Sequence, residues 1–518
     1  MFKAPFYSLN GVVASEHPLA SYIGVKVLEK GGNAVDAAIA TSLALAVTLP
    51  HLGGLGGDFF ALVEDNNGAI KFVNGSGYAP SKLSISYMNE LGYRSMPLRG
   101  PLIISIPGLV DGLYQLWRIY GSIEWKKLVD FASKIARKGF PISKSLAKAI
   151  SILKDELSKD YGWRATYLIN GSIPSEGTII KFPGLAKALE LISEDPREFY
   201  EGDLARAITN YVNKRGGVLE LHDLKHYHAE IGNAISIRYR DAVIYEMPPN
   251  TQGITTLHIL SMLNNVELPI SPKSSKRILE LLKIAKVAYM IRDLFITDPR
   301  YMTISVDKLL SRDFIKWMMS LTKYVHRIHM NRRSTCCDTT YFAIADSEGM
   351  IVSGIQSLFY AFGSGIVEPL YQIPLNSRAS DFSLNKSHIN RLEPRKKTMH
   401  TLSATIIHFK NRRIAFGLSG GHYRPLLQAQ IITNIIDYGM NTQEAIEFPR
   451  FIWEIDKDVI RLEEGLEINN LSNYGFRSII QQYPSRLGVA AAVEIKPNGI
   501  KCGYTDIRGD GIAIGTYN

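Results

Sequence analysis

The sequence predicts an α+β protein in which helices pack on sheets, either as a layered α+β or as an αββα architecture. Two observations predict it. Residues before Asp338 are dominated by helical apolar patterns, whereas those after it alternate with the period of strands. Both parts leave apolar faces that must be covered, so the helices and sheets have to pack on one another. With 518 residues, 46% hydrophobic and 21% charged, the chain can bury one large core or several smaller ones.

In chain order, "HPLASYIGVKVLEKGGNAVDAAIATSLALAVTLP" carries apolar residues at helical spacing and is broken at Gly31-Gly32, which predicts a helix stop and restart. It opens into "HLGGLGGDFFALVED", where glycines precede a strand at "FFALV". A dinucleotide loop has the reverse order, strand then glycines then helix, so this loop is not read as a nucleotide site. "IISIPGLVDGLYQLWRIYG" predicts a turn and an amphipathic helix. Residues 124–330 read as mostly helical, with a strand pair at "ISIRYRDAVIYEM" and a turn at "PPNTQG". "HRIHMNRRSTCCD" is expected to be an exposed connector. Beyond it, "TTYFAIAD", "SEG" and "MIVSGIQS" read as strand, turn and strand. Further strands are expected in "LSATIIHFKNRRIAFGLSGG" and "VAAAVEIKPNGIKCGYTD", with a helix at "RPLLQAQIITNIIDYG" between them.

Several function classes are disfavoured. "MFKAPFYSLNG" has no apolar core of signal-peptide length, and no run reaches the roughly 18 apolar residues of a spanning helix. A soluble, cytoplasmic protein without membrane contact is expected. The net charge of +10 is scattered in short clusters ("KSSKR", "NRRS", "KNRR", "EPRKK"), which does not make a nucleic-acid surface but suits an anionic substrate. Three cysteines cannot build a disulfide framework, and adjacent Cys336 and Cys337 suit neither a metal knuckle nor a redox pair. The histidines, His51 and His422 among them, show no HExxH-like spacing, so neither metal nor cofactor is expected.

The chemistry centres on Thr339. A threonine hydroxyl is a weak nucleophile and needs a base, which can be its own α-amine once the chain is cut before it. Thr339 begins a strand, behind a polar connector, so attack of its Oγ on the carbonyl of Asp338 would give an ester that water cleaves. An oxyanion hole is then needed. "GLSGGHYRPLLQ" places Gly420-Gly421 at a strand end before a helix, where amides can converge.

The ordered run "GVVASEHPLAS", "GGNAVDAAIA", "LGGLGGDFF", "IPGLVDGL", "GGVLELHDLKHY", "PPNTQG", "DTTYFAIADSEGMIVS", "FGSGIV", "LSGGHYRP", "NIIDYGMNTQEAIEFPRF" and "TDIRGDG" resembles the γ-glutamyltranspeptidase family of N-terminal-nucleophile hydrolases. The resemblance implies a four-layer αββα sandwich. It implies cleavage between Asp338 and Thr339 into a large fragment, 1–338, and a small one, 339–518, which together form one unit. Thr339 then falls on the nucleophile, Ser357 on an assisting hydroxyl, and Gly420 and Gly421 on the oxyanion pair.

In the substrate pocket the family pattern changes. Its carboxylate-binding arginine is replaced by Ser76 in "NGSGYAP" and an asparagine by Phe359. A glutamine becomes Arg378, and a serine pair becomes His400-Thr401. Asp381 coincides with the aspartate that binds the substrate's α-amine. Loss of a bidentate arginine removes charge-assisted hydrogen bonds to a carboxylate, and Arg378 is the candidate replacement. The altered motifs are similar to the γ-glutamyltranspeptidase-like amidohydrolase branch, which includes oxamate amidohydrolase. The expected function is amide cleavage through an acyl-enzyme on Thr339, on a small carboxylate-bearing amide. The alternatives are a true γ-glutamyltransferase or glutathione hydrolase, and an uncleaved scaffold. The implied partners are the amide substrate and the two fragments of the chain, and a homo-oligomer is compatible with the resemblance. Glu16, His17 and Asp36 are read as structural, and Asp506, Arg508 and Asp510 as ties from the C-terminal segment to the sheet. Arg424 is read equally well as a substrate ligand or as a helix-start residue.

Overall fold

Local capping chemistry sets the first two helices. Pro18 opens α1 (Pro18–Glu29), and the ring Nδ1 of His17 accepts from the Leu19 amide at 3.2 Å. Gly31, at φ 84°, turns the chain after it. Asn33 and Asp36 then form a reciprocal capping box on α2 (Ala34–Thr48). Asp36 also accepts from the Ser122 amide at 3.0 Å, so it ties the helix start to a distant loop. Every residue of α2 is buried, as expected for a helix apolar all round. These are contacts of a computed structural model, which describes residues 3–327, 338–469, 471–472 and 476–517. The connector carrying Cys336 and Cys337 lies outside the described residues.

The strands that build the body are β1 (Phe6–Ser8), β2 (Val12–Ser15), β3 (Asp58–Glu64), β4 (Ile70–Gly75), β5 (Glu230–Asn233), β6 (Ile235–Tyr239), β7 (Ala242–Glu246), β8 (Asp338–Ala345), β9 (Ile351–Phe359), β10 (Thr405–His408), β11 (Arg413–Leu418), β12 (Ala490–Ile495), β13 (Lys501–Thr505) and β14 (Ile512–Gly515). They form two antiparallel sheets. One runs β14-β2-β8-β9-β3-β4-β5 and the other β1-β13-β12-β11-β10-β7-β6.

Alternation along β8 explains how the sheets are covered. Tyr341, Ala343 and Ala345 join Phe60, Met247, Ala415, Ala491 and Val493 in a core between the two sheets. Phe342 and Ile344, on the opposite face, pack with α1, α2 and the helices Leu109–Tyr120 (α3) and Trp125–Lys138 (α4). The outer face of the second sheet, with Ile407, Ile414 and Phe416, is covered by Gly253–Leu263 (α5), Ser275–Phe295 (α6) and Arg424–Ile436 (α7). Gly417 allows the sheets to close: a Cβ there would lie 2.4 Å from the Tyr341 ring. The expected mixture of helix and sheet is present. Among the described residues no helix is long and apolar enough to cross a membrane.

The C-terminal segment is tied down by buried charge, as the sequence suggested for Asp506 and Arg508. Asp506 pairs with Arg450, and it accepts from Arg508 Nη1 at 3.0 Å and from the Ala490 amide at 3.1 Å. Arg508 also donates through Nε to Glu463 at 2.8 Å. Asp510 reaches elsewhere, accepting from the Ser145 amide at 3.2 Å. Burial alone would raise the Asp506 carboxyl, but Arg450 and Arg508 hold it below its ordinary value. Asp506→Ala leaves two buried guanidinium groups facing each other and is expected to cost about 3–5 kcal/mol. Urea unfolding at neutral pH measures this, and a loss under about 1 kcal/mol contradicts it. The wild-type contribution is present above the unfolded carboxyl value of about 3.9 and is lost as pH falls through the lower folded value.

Candidate active site

Thr339 lies where the β8–β9 ladder is irregular. Asp338 pairs with Phe359 and Thr340 with Gln356, so the single residue Thr339 faces two, Ser357 and Leu358. A bulge of this kind re-aims side chains at a strand end. Thr339 Oγ1 donates to Ser357 Oγ at 3.2 Å, and the Phe359 amide donates to the same oxygen at 2.9 Å. Both hydroxyl residues are buried. The strand starts at Asp338, one residue before the sequence placed it, so the 338–339 peptide lies inside the first ladder pair. Phe359 has φ 81°, a left-handed conformation that costs a bulky side chain energy and that sites of function often store.

Gly420 and Gly421 turn the chain from β11 into α7 with φ of 154° and 52°. The Gly421 carbonyl is held by the Arg424 amide and by Gln252 Nε2, the latter at 2.6 Å. Among the described residues no hydrogen bond consumes the amide N–H of either glycine. The next residue, His422, meets the Phe359 ring edge-on at 6.2 Å, which puts the glycine turn beside the bulge. Arg424 Nε donates to the Leu418 carbonyl at 2.7 Å, a helix-start contact.

A buried charged floor lies under the same bulge. Asp58, the first residue of β3, pairs in register with Ser357. Its Oδ2 accepts from Arg378 Nε at 2.9 Å and from His400 Nε2 at 3.1 Å. The Leu402 amide donates to His400 Nδ1 at 3.1 Å, so the ring proton resides on Nε2. Arg378 also donates to Thr401 Oγ1 at 3.2 Å, and its guanidinium lies 4.2 Å from the Phe359 ring centroid. Among the described residues its Nη2 is buried without a hydrogen-bond partner. Burial, reinforced by Arg378, pushes His400 down to about 4. Burial opposes ionisation of Asp58, but Arg378 and His400 hold its carboxyl below the ordinary value.

The other expected pocket residues sit at the margins. Ser76 donates its hydroxyl to Asn74 Oδ1 at 2.7 Å and accepts from Asn250 Nδ2 at 3.3 Å. It reaches the floor through Asn250, whose carbonyl accepts from the His400 amide. Asp381 Oδ1 stands 3.3 Å from His422 Nε2. Both line a groove of about 570 Å³ walled by Met96, Leu98, Tyr360 and Phe382.

The model of the family described as gamma-glutamyltranspeptidase matches residues 20–516. The chain belongs to that family. Family membership is reinforced by relatives of similar length. The glutathione hydrolase-like YwrD proenzyme of Bacillus subtilis (strain 168) is 34% identical over 517 residues, covering 97% of this chain and 98% of the relative. The oxamate amidohydrolase proenzyme of Klebsiella pneumoniae subsp. pneumoniae is 29% identical over 524 residues, covering 98% and 99%. The solved structure of cephalosporin acylase from Bacillus halodurans superposes with a TM-score of 0.92 at 30% identity, covering 100% of this chain and 98% of that one. As a member of this family the chain is an enzyme.

Sequence reading pointed to Thr339 and the glycine pair, and family motifs to Ser357, Arg378 and His400-Thr401. Sequence reading missed Asp58 and Gln252 as site residues. Each had a signal: an acid heading the apolar strand "DFFALV", and an amide inside the "PPNTQG" turn. His400 is expected to stay neutral from pH 5 to 8. Its C2 proton resonance should therefore show no titration step in that window, whereas an ordinary imidazole step near pH 6.5 contradicts the burial described here.

Proposed function

We propose that this enzyme is an autoprocessing amidohydrolase that carries its acyl group on Thr339. The observation that supports it best is the Thr339–Ser357 hydroxyl pair beside a glycine turn whose amides are unspent among the described residues. In the first step Thr339 Oγ adds to the Asp338 carbonyl carbon. The C–N bond breaks, nitrogen leaves as the α-amine of Thr339, and water hydrolyses the resulting ester to leave a carboxyl on Asp338. In turnover the freed α-amine accepts the Oγ proton as Oγ attacks the substrate amide. Negative charge then develops toward the amides of Gly420 and Gly421. The leaving amine takes up the proton, and water or a second amine resolves the ester.

The fragments 1–338 and 339–518 would remain one unit after cleavage. The first sheet interleaves β2, β3, β4 and β5 from the large fragment with β8, β9 and β14 from the small one. We read the whole as a four-layer αββα sandwich. For substrate, we favour a small amide bearing a carboxylate, since Nη2 of Arg378, unpartnered among the described residues, is a buried donor that such an anion would satisfy. The name of the Klebsiella relative agrees with this class. γ-Glutamyl hydrolysis is the second reading, favoured by Asp381 at the groove and by the name of the Bacillus subtilis relative.

Purified protein examined by mass spectrometry under denaturing conditions should give two fragments, the smaller beginning Thr-Thr-Tyr. Thr339→Ala should remain one chain. Persistence of the intact wild-type chain after long incubation contradicts the reading, and cleavage of Thr339→Ala at the same bond assigns the cut to another protease. Turnover of oxamate should exceed that of a γ-glutamyl anilide by at least about tenfold, roughly 1.4 kcal/mol in transition-state stabilisation. The reverse order favours the second reading.

A further inference from the structure

Gln252 is buried completely and is the residue before α5, yet its side chain caps nothing on that helix. Instead Nε2 donates to two backbone carbonyls, Gly421 at 2.6 Å and Thr401 at 2.9 Å. Its backbone amide donates to the His400 carbonyl at 2.9 Å. One residue therefore grips both the glycine turn and the His400-Thr401 segment that adjoins Arg378. A carboxamide can fulfil this only in one orientation, because carbonyl oxygens accept and never donate. Arg292 sets that orientation. Its Nη1 donates to Gln252 Oε1 at 2.9 Å, leaving the NH2 group to face the carbonyls. Arg292 is itself fixed in the last turn of α6, with Nε on Asp293 at 2.9 Å and the guanidinium 4.6 Å from the Tyr289 ring centroid.

We propose that Gln252 is a positioning residue that fixes the Gly420-Gly421 turn relative to the His400-Thr401 segment, and that Arg292 acts through it by locking its amide orientation. The Gly421 carbonyl lies in the Gly421–His422 peptide plane, so holding it anchors the far side of Gly421 and limits rotation between that plane and the one carrying the Gly421 N–H, which the Tyr423 amide holds by donating to the Gly420 carbonyl at 2.9 Å. The value of the glycine amides to a developing oxyanion depends on their direction, since such donors act only when already aimed at the reacting atom. This inference rests on the Thr339 reading.

The test uses processed wild-type enzyme, Gln252→Met, Arg292→Met and the double variant on whichever amide of the substrate panel the wild type turns over. Gln252→Met keeps the side-chain length but removes both donors. Its kcat should fall about 30-fold or more, while KM stays within about threefold, given that loss of a whole oxyanion donor costs about 10²–10³. Arg292→Met should lower kcat less. The double variant should resemble Gln252→Met alone, because a residue acting through another adds nothing once that one is gone. If Gln252→Met does not fold, Gln252→Glu, which keeps the Arg292 partner but has no donor for the carbonyls, should give the same selective loss of kcat. A Gln252 variant with kcat within threefold of wild type, a change confined to KM, or multiplicative effects in the double variant overturns the proposal. Wild-type turnover that survives in Thr339→Ala, or no wild-type turnover on any amide, contradicts the nucleophile reading and this proposal with it. Normal Thr339-dependent turnover with an unaffected Gln252 variant contradicts this proposal alone.

Discussion

The pairing of β8 with β9 is the constraint on which the site depends. Its register pulls Asp338 opposite Phe359, and the extra residue on β9 places the Ser357 hydroxyl within hydrogen-bond reach of Thr339. On its other edge β9 pairs with β3, whose register sets Asp58 beside Ser357, and Asp58 in turn gathers Arg378 and His400. A one-residue slip would move Thr339 to the helix-facing side, because alternate residues of a strand point to opposite faces. The ladder is secured by packing on both faces, with Tyr341 and Ala343 between the sheets and Phe342 and Ile344 under the helices.

Electrostatics within the floor are arranged to avoid a free charge. Arg378 and Asp58 neutralise one another, and His400 is kept neutral by burial while it donates to the carboxylate. Removing either member of a buried pair leaves an uncompensated charge, which is far costlier than never having had the pair. Among the described residues Arg378 nonetheless retains one unpartnered donor, and its stacking on Phe359 restricts where that donor can move. The replacement of an expected amide by Phe359 therefore does two things: it adds apolar bulk and supplies a face for the guanidinium.

Much of the fold was legible because it depends on local pattern. The break at Gly31-Gly32, the strand pair in "ISIRYRDAVIYEM" and the helix in "RPLLQAQIITNIIDYG" all follow from periodicity and from the conformational freedom of glycine. The candidate site was legible only in part. Thr339 and the glycine pair were singled out from the abrupt strand start and the Gly-Gly turn, and Ser357 through family motifs. The contacts around them were not, because Arg378, itself singled out, is 320 residues from Asp58, and Gln252 is 169 from Gly421. No periodicity reports such contacts. A polar residue in an apolar strand or tight turn marks only that some distant partner must satisfy it.

The role proposed for the Thr339 hydroxyl is to carry the acyl group. Rapid acid quenching during steady-state turnover, followed by peptide mapping, tests it most directly. The account predicts an added mass equal to the substrate's acyl group on the peptide that begins at Thr339, located on that first residue. Turnover accompanied by an acyl adduct on a different side chain would contradict it.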